Sequence, residues 1–158
     1  MPDRDDTMMA RALELAREAA AMNEIPVGAV VWETDTGTVL GEGFNRREVD
    51  NDPSAHAEYV AIQAACKAVG DWRLNHCSLA VTLEPCPMCA GLIVNARVGR
   101  VVYGADDPKA GACRSLFELT TDARLNHRVE LVAGVRADES AELLRAFFRA
   151  RRERGRGP

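Results

Sequence analysis

Along the first seventy residues the spacing of apolar positions switches from a helical period to an extended one and back. Met9, Leu13, Ala16 and Ala20 recur three or four apart behind Asp5-Asp6-Thr7, whose side chains can cap a helix. This predicts an amphipathic helix reaching about Met22. Residues 26–32 form a β-branched run, 34–37 supply turn residues and 38–44 resume an extended pattern, which together predict a hairpin. Asp52-Pro53-Ser54 then opens a second helix from Ala55 to about Val69, and Gly70 closes it. His56 and Glu58 are thereby expected in its first turn.

The second half repeats the alternation. Residues 77–83 read as a third strand, and Pro85-Cys86-Pro87 punctuates it before a short helix running to about Ala96. Residues 98–103 and 129–132 read as strands four and five. Asp138 is expected to cap a last helix through Leu143, Leu144, Phe147 and Phe148. The connection from Tyr103 to Val129 is long, and helical around Ser115 to Leu119, which suits the crossover that parallel neighbours need. Helices and strands in alternation imply an α/β layer sandwich with a mostly buried sheet.

Composition narrows the class. At 158 residues the chain suits one domain spanning 1–158, with a basic C-terminal helix and tail from about 138. Hydrophobic residues at 47% and charged residues at 28% are the mixture of a soluble globular protein. Apolar runs such as 27–32 fall far short of the roughly 20 residues of a bilayer span, so no membrane partner is expected. The acidic start Met-Pro-Asp-Arg-Asp-Asp lacks the features of a signal peptide, which points to the cytoplasm. Five cysteines, an odd number, favour reduced thiols over a disulfide framework. The net charge of −4 argues weakly against nucleic acid, but six Arg and one Glu lie between Arg145 and Arg156, a local +5.

Three residues stand out as a metal set. Cys86 and Cys89 form Cys-x-x-Cys at the start of a predicted helix, where unpaired backbone N–H groups favour thiolates. His56 offers a third donor from the start of another. The other Cys and His residues are scattered singly and read as packing or idle groups, so nothing closes a four-ligand structural site. Three protein ligands leave a coordination position open, the arrangement of catalytic zinc. Glu58 need not be a ligand. A carboxylate beside such a centre can accept a proton from water and return it to a leaving amine, the task of hydrolytic deamination. His-x-Glu followed by Pro-Cys-x-x-Cys is similar to the signature of the zinc deaminases.

With these residues in view, the chain resembles the bacterial tRNA-specific adenosine deaminases, the TadA family within the cytidine deaminase superfamily. The likeness runs through Ile25-Pro-Val-Gly-Ala-Val, Gly41-Glu-Gly-Phe-Asn45, Asp52-Pro-Ser-Ala-His-Ala-Glu58, Thr82-Leu-Glu-Pro-Cys-Pro-Met-Cys-Ala-Gly91 and Leu125-Asn-His-Arg128. It implies a three-layer α/β/α sandwich with a mixed five-stranded sheet of the cytidine deaminase-like kind. It further implies a homodimer with one zinc ion (Zn2+) per subunit, converting the wobble adenosine of a tRNA anticodon stem-loop to inosine with release of ammonia.

By the same resemblance, Glu58 is the catalytic residue and Asn45 contacts the target nucleotide. The Ala57 backbone lines the base pocket, Asp107 and Lys109 lie in a loop near the RNA, and Phe148, Arg149 and Arg151 belong to the RNA-facing terminal helix. The residues alone leave other readings open: Asn45 as a turn asparagine, Phe147 and Phe148 as core, the arginines as a solvated face. Cys113-Arg114-Ser115 departs from the small residue, Gly and Ser usual in the family, so a bulky cation enters that loop. The zinc signature also serves a free nucleobase deaminase of guanine or cytosine type, and a non-catalytic RNA-binding zinc module is the alternative outside enzymes. The parallel arrangement of strands four and five and the basic tail favour a polynucleotide.

Overall fold

The computed structural model describes residues 3–155. Met1, Pro2 and Arg156 of the basic tail lie outside the described residues. The elements are α1 (Arg4–Ala21), β1 (Gly28–Glu33), β2 (Val39–Phe44), α2 (Ala57–Val69), β3 (Cys77–Leu83), α3 (Pro87–Asn95), β4 (Arg100–Ala105), β5 (Glu130–Ala133) and α4 (Ala137–Gly155). The sheet has five strands in the order β2-β1-β3-β4-β5. β1 pairs antiparallel with β2 and β3, whereas β3, β4 and β5 run parallel. This is the mixed three-layer sandwich expected from the sequence.

Alternation along the central strands creates the layers, because successive strand side chains point to opposite faces. Ala29, Val31, Leu79, Val81, Val101 and Tyr103 join the core beneath α2 and α3. Val30, Trp32, Ala80 and Val102 join the core beneath α1 and α4. Two-sided burial explains why these strands read as continuous apolar runs. On the first face, Gly43 lets α2 come close: a Cβ there would meet the Ala57 carbonyl oxygen at 2.7 Å and the Ala61 nitrogen at 2.8 Å. That approach carries the start of α2, and with it the site, onto the sheet.

Several boundaries differ from the sequence-based expectation. The cap of α1 is Asp3, which accepts a bond from the Asp6 amide at 2.8 Å, so Asp5 and Asp6 sit in the first turn. Asp138 likewise lies inside the first turn of α4. Asp52 accepts from the Ser54 amide and hydroxyl at 2.8 and 2.6 Å, forming a local turn, and α2 begins only after His56. Residues 115–118 are not helical; only a short 3₁₀ turn, Leu119–Thr121, occurs there. The crossover to a parallel β5 exists without the helix. Among the described residues no helix is long and apolar enough to cross a membrane.

Candidate active site

The site lies where the ends of β2 and β3 meet the first turns of α2 and α3. His56 is the residue preceding α2, with extended backbone at φ −78° and ψ 156°, and Cys86 holds the same position before α3 at φ −74° and ψ 173°. Pro87 occupies the first helical position, where its missing N–H costs no bond, and Cys89 follows in that turn. The His56 Nδ1 stands 3.6 Å from the Cys86 sulfur and 3.5 Å from the Cys89 sulfur. All three donor atoms lie within 4.8 Å of one another.

These residues fit a zinc ion. Tetrahedral coordination at ordinary Zn–S and Zn–N lengths puts nitrogen and sulfur ligands about 3.6 Å apart, which is the spacing found. The electrostatics agree. A hydrogen bond from Cys89 pulls the Cys86 thiol down to about 4, with His56 adding to the effect. The same hydrogen bond, together with burial, pushes Cys89 up. Bonding to Cys86 raises His56. A thiolate, a second sulfur and an imidazole converge on one point, a soft donor set with room for a cation.

Glu58 is 4% exposed and lines the same cavity as His56 and Cys86. Two residues apart within one helix they would diverge. They converge because His56 is outside the helix, on extended backbone. Burial pushes the Glu58 carboxyl up to about 6, against the opposing pull of its own amide and of His56. Such a group can take and return a proton near neutral pH.

The cavity measures ≈ 170 Å³. Asn45, Ala57 and Asp107 line it. Asn45 is held from both sides: its Nδ2 donates to the Ile25 carbonyl at 3.3 Å, and its Oδ1 accepts from the Arg47 amide at 3.2 Å. Asp107 accepts from the Lys109 and Ala110 amides at 3.0 and 3.2 Å. Lys109, Phe148 and Arg149 instead line a separate groove with Arg145 and Arg152. Arg151 joins neither. Its guanidinium stacks over the Phe147 ring at 4.7 Å and donates to the Asn23 carbonyl at 3.1 Å. Phe147 is core and Phe148 is exposed.

Sequence reasoning passed over Arg47 and Glu84, which both line the cavity. Arg47 carried no local signal. Glu84 stood in the quoted motif, and its place between an apolar strand and Pro85 marked it as an acid about to be buried. Arg114, the departure noted above, turns its side chain to Asp106, with bonds of 2.9 and 3.0 Å. Cys113 is buried, and burial pushes its thiol up to about 12, the state of an inert packing cysteine.

Comparison with known proteins agrees with this geometry. The family model for MafB19-like deaminases matches residues 3–152. The chain is 47% identical to a tRNA-specific adenosine deaminase of Haemophilus influenzae, over 94% of this chain and 86% of that protein. It is 44% identical to one of Bacillus subtilis, over 95% and 92%. A solved structure from work on A-to-I editing by tRNA:A34 deaminases at the wobble position of transfer RNA superposes with a TM-score of 0.83. It is 42% identical and covers 87% of this chain and 99% of that one. Matched over nearly its whole length, and carrying the donor set and buried acid together, the chain belongs to the deaminase family, among the tRNA-specific adenosine deaminases.

Proposed function

We propose that this enzyme hydrolyses the wobble adenosine of a tRNA anticodon to inosine, releasing ammonia, with one zinc ion held by His56, Cys86 and Cys89. The observation that carries the reading is the buried Glu58 sharing one cavity with His56 and Cys86, whose donor atoms converge with that of Cys89, in a chain so similar to proteins named tRNA-specific adenosine deaminase. When bound, zinc supplies the Lewis acidity that makes water a nucleophile near neutral pH. The Glu58 carboxylate would accept a proton from the attacking water and deliver it to the departing amine, so that adenosine and water become inosine and ammonia. Asn45 and the Ala57 backbone orient the base, and Asp107 meets the nucleotide at the cavity wall. The anticodon loop suits such a site because its bases are already unpaired and leave the stack at low cost.

Lys109, Phe148 and Arg149, with Arg145 and Arg152, supply a cationic groove with an aromatic face for the RNA strand. Arg151 acts indirectly, by fixing α4 against the Asn23 turn. Met88 and Leu125, 42% and 41% exposed, lie in one apolar depression with Leu92, a face suited to a second copy of the chain. Light scattering on the purified protein tests the dimer. A cytoplasmic setting follows from a tRNA substrate.

The decisive assay incubates zinc-loaded enzyme with an anticodon stem-loop bearing wobble adenosine, beside free guanine, cytosine and adenosine. Inosine in the RNA supports the reading; ammonia from free guanine and none from the RNA overturns it.

A further inference from the structure

Glu84 directly follows β3 and is 2% exposed, yet among the described residues no lysine or arginine side chain bonds it. Its carboxylate is filled from one loop instead. Oε2 accepts the backbone amides of Cys113, Arg114 and Ser115 at 3.0, 2.8 and 2.9 Å. Oε1 accepts the Asp107 amide at 3.0 Å and the Ser115 hydroxyl. A β-carbon at residue 111 would overlap the carboxyl group, so Gly111 lets the chain wrap around it. The Gly111 amide closes the loop on the Asp107 carbonyl at 2.8 Å, and the Ala112 amide ties it to the Pro85 carbonyl, also at 2.8 Å.

That loop supplies Asp107 and Ala110 to the wall of the catalytic cavity, and β3 leads directly into Cys86. Glu84 therefore joins the element that presents the donor set to the element that presents the substrate wall. We propose that Glu84 is a positioning residue for substrate: by binding both ends of loop 107–115 it sets where Asp107 and Ala110 stand relative to Glu58 and the metal ligands. The inference deepens the proposed function and rests on it only in taking the cavity as the substrate site. A carboxylate suits the task because it offers acceptors alone, four lone-pair sites on a fixed plane. An amide does not. Whichever way a glutamine turned, its NH2 group would face backbone donors.

The test is Glu84→Gln in the full-length zinc-loaded enzyme, measured on whichever substrate the parent turns over, the wobble-adenosine stem-loop or free guanine. Failure of the tRNA reading thus leaves this measurement intact. Misplacing the wall should raise KM at least about tenfold while kcat falls less than about threefold. Zinc should stay at one per chain, and in hydrogen exchange the amides of residues 107 and 113–115 should lose protection while those of β3 and β4 keep theirs. A purely structural role would instead speed exchange across the sheet and lower the active fraction without moving KM. An unchanged KM, or unchanged exchange in the loop, overturns the proposal. Should the variant fail to fold, Gly111→Ala presses on the carboxylate from the loop side and must give the same split between KM and kcat.

Discussion

Glu58 and Glu84 line the same cavity and are exposed to nearly the same small degree, 4% and 2%, yet their carboxyls are shifted in opposite directions. Around Glu58 burial dominates and lifts the carboxyl to about 6. Around Glu84 burial pushes the same way, but the Ser115 hydroxyl and the loop amides outweigh it and hold the carboxyl below the usual range. Low solvent exposure alone therefore does not assign a role; the supply of donors contributes to it. An acid that must exchange a proton each turnover cannot be saturated with N–H bonds, whereas an acid that fastens a loop works only while it stays ionised. On the proposed function the two, lining one cavity, divide proton transfer from positioning.

The largest effects should fall on the proton-transfer side. Glu58→Gln keeps the shape and removes the base, so kcat should drop by about 10²- to 10⁴-fold with zinc content unchanged. Turnover near that of the parent would mean that another group moves the proton and that the contrast with Glu84 is empty. Removing the metal should be as severe. Dialysis against a strong chelator should abolish activity, and stoichiometric zinc should restore it. Cys89→Ala, lacking one donor, should neither retain zinc in metal analysis nor recover.

How far this division can be read from sequence depends on the reach of the contacts involved. β3 was legible residue for residue because burial on both faces leaves an unbroken apolar run. The donor set was legible because each ligand opens a helix and the motifs are local. Helix starts were misplaced where several residues could cap equally well: Asp3, Asp5 and Asp6 all qualify, and only the fold selects Asp3. The expected helix around Ser115 to Leu119 failed for a longer-range reason. The amides of Leu116 and Phe117 turn back to the Gly111 carbonyl and that of Leu119 to the Ala112 carbonyl, wider turns than a helix makes, in a loop wrapped around a carboxylate some thirty positions earlier in the chain. No window of sequence contains both partners.

A graded test on the positioning side removes one of the five donors to Glu84. Ser115→Ala deletes the hydroxyl bond to Oε1 but leaves the three amide bonds to Oε2. Stopped-assay kinetics should show KM rising about two- to fivefold, less than for Glu84→Gln, because one bond to a charged group is a fraction of the set. An effect equal to that of Glu84→Gln would place the whole function of the carboxylate in the Ser115 hydroxyl and make the amides incidental.

The smallest effect should come from the bulky cation noted above as a departure from the family pattern. Arg114 contributes to the Glu84 cluster through its backbone amide, which any residue but proline provides. Its side chain faces outward, in a two-pronged pair with Asp106 at 2.9 and 3.0 Å, with the guanidinium 5.9 Å from the centre of the Tyr103 ring. The side chains are 53% and 46% exposed, so solvent screens the pair. Tyr103 still donates to Asp106 at 2.8 Å without it. Arg114→Ser should thus leave kcat/KM within about threefold of the parent and leave exchange of the 113–115 amides unchanged. A KM increase as large as that of Glu84→Gln would shift the fastening of the loop from the buried carboxylate to the surface ion pair. The bulky cation would then belong to the substrate wall and not to its outer face.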